Sequence, residues 1–162
     1  MLHIRPATPH DVPLILAFIR ELSEYQKLSH LAVATEDNLH EHLFGLSPKA
    51  EVLIADYEHE PVGFAVFFPN FSTFSARPGI YLEDLYVRPS MRGIGVGKSL
   101  LAHIANIAQS RGCVQIAWSV LNWNTPAIDF YKKIGSTPQS EWTVYHLEGQ
   151  PLAALAEQSA RL

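Results

Sequence analysis

The chain has 162 residues, 48% of them hydrophobic and 17% charged, which suits a single domain of roughly 100–200 residues with enough apolar surface to close a core. Its formal charge of −4 argues against a nucleic-acid binder, which neutralises phosphates with a basic patch, and accords with a cationic small substrate. No apolar run approaches the ~20 residues that span a bilayer, and Met1 to Pro6 lacks the core of a secretory leader, so the expectation is a cytoplasmic protein with no membrane partner.

Leu2 to Arg5 reads as a short strand. Pro6-Ala7-Thr8-Pro9 then leads into a helix with Leu14, Ile15, Phe18, Ile19 and Leu22 at helical spacing, ending near Tyr25. Thr35-Glu36-Asp37 is the capped, acidic start of a second helix that stops near Gly45. Val52 to Tyr57, Val62 to Phe68 and Ile80 to Val87 are rich in β-branched and aromatic residues and predict three antiparallel strands, the first two joined by a hairpin at Glu58-His59-Glu60-Pro61. From Val96 the period becomes helical, through Leu100, Leu101, Ile104, Ile107 and Ala108, until Gly112. Val114 to Val120 follows as a fifth strand, parallel to Ile80–Val87 because a helical crossover joins parallel neighbours. Cys113 is the single cysteine; it cannot form an internal disulfide, and in this apolar stretch it reads as a buried structural residue. Thr125-Pro126 starts a further helix ending at Gly135, Trp142 to Leu147 reads as a last strand, and Pro151 to Ala160 as a closing helix with Leu152 and Leu155 on one side. The order β-α-α-β-β-β-α-β-α-β describes one mixed α/β domain over residues 1–162 with a mostly antiparallel sheet.

The chemistry concentrates after the fourth strand. Arg92-Gly93-Ile94-Gly95-Val96-Gly97 follows a strand and opens a helix, where backbone N–H groups and the helix dipole converge on a phosphate. The dinucleotide fingerprint fails, because the sixth position from Gly93 is Lys98 and no acid lies about 20 residues on; the P-loop fails because its first glycine position is Arg92. In Tyr81-Leu82-Glu83-Asp84-Leu85 two acids interrupt an apolar strand, and alternation sends them to opposite faces. Either acid can pair with Arg88 or Arg92. Glu83 reads as the functional one, a partly buried carboxylate with a raised pKa that takes the proton of an amine nucleophile. Asn124, Ala127 and Tyr131 fall on one side of the helix from Thr125; the alternative is that Tyr131 packs in the core with its hydroxyl satisfied. His40 and His42, two apart, face different sides of their helix, so no metal site is expected.

The run Tyr86-Val87-Arg88-Pro89-Ser90-Met91-Arg92-Gly93-Ile94-Gly95-Val96-Gly97-Lys98 resembles the acetyl-CoA motif of the GNAT N-acetyltransferases. That resemblance implies that the amides from Gly93 through Ile94, Gly95, Val96 and Gly97 to Lys98 hold the pyrophosphate, that Leu85 and Val87 pair with the pantetheine arm like an added strand, and that Tyr86 and Arg92 flank the cofactor. Asn124-Thr125-Pro126-Ala127-Ile128-Asp129-Phe130-Tyr131 is similar to the segment whose tyrosine protonates the departing thiolate, which implies Tyr131 as general acid and Asn124 and Lys133 as cofactor contacts. Ile4-Arg5-Pro6-Ala7-Thr8, Leu22-Ser23-Glu24-Tyr25, Val62-Gly63-Phe64-Ala65 and Tyr81-Leu82-Glu83-Asp84 extend the likeness to the spermidine/spermine branch, whose members act on polyamines, diamines or lysine-like amines as homodimers. There Glu83 corresponds to the glutamate that helps deprotonate the amine, with Tyr25, Gln26, Asp84, Glu141 and Trp142 on the substrate side. Gln26 departs from the pattern, since the polyamine enzymes have glutamate there. The neutral amide forgoes an attraction of about 1–4 kcal/mol at 4 Å, which weighs against polyamines. The alternatives are a CoA-binding regulatory module without catalysis and an acetyltransferase for protein amines.

Overall fold

Hydrophobic alternation and turn chemistry produce the five-stranded sheet of the computed structural model, which describes residues 1–159. By contacts the chain divides into two units, Met1–Leu121 and Asn122–Leu162. In the first unit, β1 (Leu2–Pro6), β2 (Glu51–Tyr57), β3 (Glu60–Ser72), β4 (Arg77–Val87) and β5 (Ile116–Ala117) lie in that order. The first four are antiparallel neighbours, and β5 runs parallel to β4. α1 (Val12–Tyr25), α2 (Glu36–Phe44) and α3 (Val96–Ser110) complete the unit. α1 lays Ile15, Phe18 and Leu22 on one face of the sheet, against Val52, Ile54, Phe64, Val66 and Tyr86. α3 buries Val96, Leu100 and Ile104 and packs against β3 and β4 from elsewhere on the sheet. Residues alternate faces along a strand, so Leu53, Ala65 and Phe67, all buried, are turned away from the α1 cluster.

The edge between β1 and α1 is fastened by charge. Arg5 donates to Asp56 (2.7 Å) and to both oxygens of Asp11 (2.9 and 3.0 Å), while Asp11 also accepts from the Thr8 backbone. The Arg5 guanidinium holds the Asp11 carboxyl down at about 2.

Four sequence expectations change. The hairpin between β2 and β3 is tighter than the four residues Glu58 to Pro61: Tyr57 pairs with Glu60, leaving only Glu58 and His59, both at positive φ. The fifth strand is two residues and not Val114–Val120; Ile80 and Tyr81 find partners in Ile116 and Ala117, and pairing stops there. Cys113 consequently lies outside the strand and is half-buried. No strand forms over Trp142–Leu147, although the residue types favour one, and Trp142, Val144 and Tyr145 are exposed; a strand requires a neighbour to satisfy its backbone. The second unit contains α4 (Thr125–Lys133) and α5 (Gly149–Gln158). Ala160, the expected end of the closing helix, lies outside the described residues.

Candidate active site

A break in the β3–β4 ladder shapes the site. Phe67 pairs with Leu82 and Val66 with Asp84, so Glu83 is an extra residue on β4, a β-bulge. Simple alternation is therefore interrupted at the two acids. Asp84 shares a face with its partner Val66, on the α1 side, and Glu83 is exposed. The expectation of a partly buried Glu83 is corrected: burial falls on Asp84 and, with the Glu83 charge beside it, pushes the Asp84 carboxyl up to about 6. Neither acid takes the arginines, because Arg88 donates to both oxygens of Glu21 (3.2 and 2.9 Å). That pairing lowers the Glu21 pKa.

Beyond Tyr81 no residue of β5 pairs with β4, so the later residues of β4 have no ladder partner on that side. The Arg88 N–H donates to Val62 O, which sets the phase of the ladder after the bulge: Asp84 and Tyr86, like Arg88, bond to β3, and the backbone groups of Leu85 and Val87 point toward the open edge. Where the pairing ends, the Tyr81 hydroxyl and Ser119 Oγ lie 2.9 Å apart. The edge thus offers main-chain donors and acceptors to an extended ligand.

The glycine turn lies directly after that edge. Gly93 and Gly95 have φ of +82° and +93°, a region costly for any residue with a Cβ, and a Cβ built on either meets nothing within 4 Å. The space over the turn is therefore open. The first helical bond of α3 runs from Ser99 N–H to Gly95 O, which leaves the N–H groups of Val96, Gly97 and Lys98 without a helical acceptor. No side chain caps them and no acid lies in the first turn. Three amides, the positive end of a helix and the exposed Lys98 form a seat for an anion. Ile94, between the glycines, is 55% exposed.

Arg92 leads into the turn. Its Nε donates to Val87 O at 2.9 Å, and its guanidinium lies 4.5 Å above the Tyr25 ring and 5.8 Å from that of Tyr86. Tyr86, named with the cofactor residues, is 5% exposed and belongs to the α1 core; its ring meets the Arg92 guanidinium. Gln26 is half-buried at the end of α1, where its N–H donates to Leu22 O. These contacts between α1 and the turn have no signature in the sequence.

In the second unit, Asn124 and not Thr125 caps α4: it is 8% exposed, and its side-chain oxygen accepts from Ala127 N–H at 3.4 Å. Its amide oxygen therefore has a structural task besides any contact with a cofactor. Tyr131 is half-buried, and burial raises its pKa. Lys133 is exposed in the last turn of α4, and Glu141 and Trp142 are exposed in irregular chain.

The family model described as acetyltransferase (GNAT) family matches residues 16–135. Over 94% of its length the chain is similar to the thialysine N-epsilon-acetyltransferase of Bos taurus, at 37% identity and covering 96% of that protein. It is 32% identical to the L-ornithine N5-acetyltransferase NATA1 of Arabidopsis thaliana, with 94% of this chain and 86% of that protein covered. Among solved structures, an integron cassette protein from the mobile metagenome of V. cholerae superposes with a TM-score of 0.80 at 29% identity, covering 96% of this chain and 98% of that one. An exposed amide cradle at a glycine-led helix start, an unpaired sheet edge leading into it and a family match that contains both lead to one conclusion: the chain belongs to the GNAT family and is an N-acetyltransferase.

Proposed function

We propose that this enzyme transfers an acetyl group from acetyl-CoA to the primary amine of a small molecule of the lysine-like or short diamine class, by direct attack of the amine. The observation that carries the reading is the open start of α3. The amides of Val96, Gly97 and Lys98 have no acceptor of their own in the helix, the space above Gly93 and Gly95 is clear, and the Leu85–Val87 edge of β4 continues from the turn. A diphosphate followed by an extended amide-bearing arm fits that sequence of donors and acceptors. When bound, acetyl-CoA supplies the thioester.

The remaining roles belong to the chain. An alkylammonium with a pKa of about 10.4 must lose a proton before it attacks. Glu83, exposed at the bulge, takes that proton directly or through water. Asp84 on the same stretch is the second carboxylate, and its elevated pKa makes its charge, and hence its attraction for a cation, dependent on pH near 6. Tyr131 gives a proton to the leaving sulfur; burial raises its pKa, so the phenol is protonated at neutral pH and available as an acid. The same reading assigns Tyr25 and Gln26 of the first unit and Glu141 and Trp142 of the second to amine recognition, and Asn124 and Lys133 to cofactor recognition. The likeness to enzymes named for thialysine and ornithine, together with a neutral Gln26, favours a lysine-like amine over a polyamine.

The two units act as one acetyltransferase domain, since the family match at 16–135 runs across residue 121. The protein works in the cytoplasm as a homodimer. Trp142, Val144, Tyr145, Leu147, Leu152 and Leu155 are each exposed, and apolar side chains of this kind are what a second copy would cover. No described helix is long and apolar enough to cross a membrane.

A thiol-release assay over spermidine, short diamines, thialysine, lysine and a lysine-containing peptide tests the reading. Turnover is expected to be greatest with thialysine or a short diamine. Acetyl-CoA binding without thiol release on any amine would favour a regulatory module, and release with the peptide alone would favour a protein acetyltransferase.

A further inference from the structure

We propose that Tyr25, at the last turn of α1, is a positioning residue for the acetyl-CoA seat as well as part of the amine side, a proposal that rests on the seat assigned above. Two arginines bracket the turn Pro89–Met91 that leads into the glycines, and both are held by one face of α1. Arg88 binds the Glu21 carboxylate through Nε and Nη2 and lies 5.0 Å over the Phe18 ring; Arg92 lies 4.5 Å over the Tyr25 ring. Phe18, Glu21 and Tyr25 recur at helical spacing, so α1 presents a rail to which both ends of the turn are fixed.

The two fixings differ in kind. Arg88 is neutralised by an acid. Among the described residues no carboxylate pairs with Arg92, whose Nε hydrogen goes to Val87 O and whose plane rests on an aromatic face. A guanidinium held by a ring keeps its net positive charge, whereas one held by glutamate does not. Arg92 can therefore be both rigid and cationic at the mouth of an anion seat. Its hydrogen bond to Val87 O also occupies the last carbonyl on the open edge of β4, which fixes where that edge ends and the turn begins. Removal of the Tyr25 ring frees Arg92, loosens Val87 and weakens the seat without touching an amide of α3. Because Tyr25 precedes Gln26 on the amine side, the same ring links the two substrates: order at the end of α1 favours the cofactor seat, and the reverse holds with equal coupling.

The test is calorimetry of acetyl-CoA binding with no amine present, on wild type, Tyr25→Leu, Tyr25→Phe, Arg92→Met and the Tyr25→Leu/Arg92→Met double variant, with thermal melts alongside. Tyr25→Leu is expected to weaken acetyl-CoA binding about tenfold, the scale of a partly desolvated cation–π contact. Tyr25→Phe, which keeps the ring, is expected to stay within about twofold of wild type. Once Arg92 is Met, loss of the ring should have no further effect on affinity, and that non-additivity separates positioning from general loosening. If wild type binds acetyl-CoA and Tyr25→Leu binds it equally while only its KM for the amine rises, the clamp is overturned and the seat survives. If wild type itself does not bind, the seat is overturned and the clamp with it.

Discussion

Two helices of the first unit start in opposite ways. α2 closes its own beginning: Thr35 is extended, its hydroxyl accepts from Asn38 N–H at 3.2 Å, and Glu36 and Asp37 meet the positive end of the helix. α3 leaves its beginning open, with Gly95 in the left-handed region, no capping side chain and no acid in the first turn. The first arrangement satisfies the helix from within. The second forgoes about 1 kcal/mol of capping and keeps three amides for a ligand. The same structural position is thus filled by opposite residue types, one set closing the helix and the other leaving it open as the proposed seat requires, and that contrast can be attacked by substitution.

The largest effect is expected at the open start. Gly95→Val places a β-branched side chain at a φ of +93°, where an L-residue is strained by about 1–2 kcal/mol, and projects atoms into the clear space over the turn. Acetyl-CoA affinity should fall at least about a hundredfold, equivalent to about 2.7 kcal/mol, while circular dichroism still reports a folded protein. Calorimetric affinity near that of wild type would mean that the open start is not the seat.

A capped helix that carries a reactive group should behave differently. α4 is closed by Asn124, and the proposed mechanism asks of it one reactive side chain, Tyr131. Tyr131→Phe should lower kcat about a hundredfold, the scale of general acid catalysis, with the Kd for acetyl-CoA changed by less than about twofold. Wild-type turnover in the Phe variant would remove the phenol from the reaction.

The contrast between closed and open recurs in two aspartates, with opposite signs. Asp11, held by Arg5, has its pKa lowered to about 2. Its contribution is complete above the unfolded value near 3.8 and is lost as pH falls through about 2. Asp84 has its pKa raised to about 6, so the folded chain binds the extra proton between about 3.8 and 6, and stability declines as pH climbs through that window. At pH 7, Asp11→Asn should destabilise and Asp84→Asn should stabilise, each by about 1–3 kcal/mol. Urea titrations at pH 4 and pH 7 check both, and the Asp84 gain should vanish at pH 4. Equal behaviour at the two pH values would mean that Asp84 is not desolvated.

The open start of α3 was legible because it depends on residue types in sequence: glycines where the backbone must turn left-handed, then an amphipathic helix from Val96. The caps and faces of α1 and α2 follow from the same local rules. What depends on partners distant in the chain was not legible. The bulge at Glu83 is a property of register against Val66 and Phe67, and alternation read along one strand cannot detect it, so burial was assigned to the wrong one of two adjacent acids. Trp142–Leu147 has strand-forming residues, but ladder partners determine whether a strand forms, and among the described residues it has none. The arginine rail on α1 joins residues more than sixty positions apart, with no spacing rule to reveal it.

Thr35→Ala gives the smallest effect and the sharpest control. It removes the hydroxyl that accepts from Asn38 N–H and leaves α2 with the orphan donors that α3 has by design. The expected loss is about 1 kcal/mol of stability, read from urea unfolding with an unchanged m-value. Acetyl-CoA affinity should not move, because an uncapped helix start does not become an anion seat without glycines to clear the approach, and Glu36 and Asp37 would repel the ligand. If Thr35→Ala acquired measurable affinity for inorganic diphosphate at the start of α2, unsatisfied amides alone would suffice for binding, and the glycines of the 93–97 turn would be needed for its shape and not for its function.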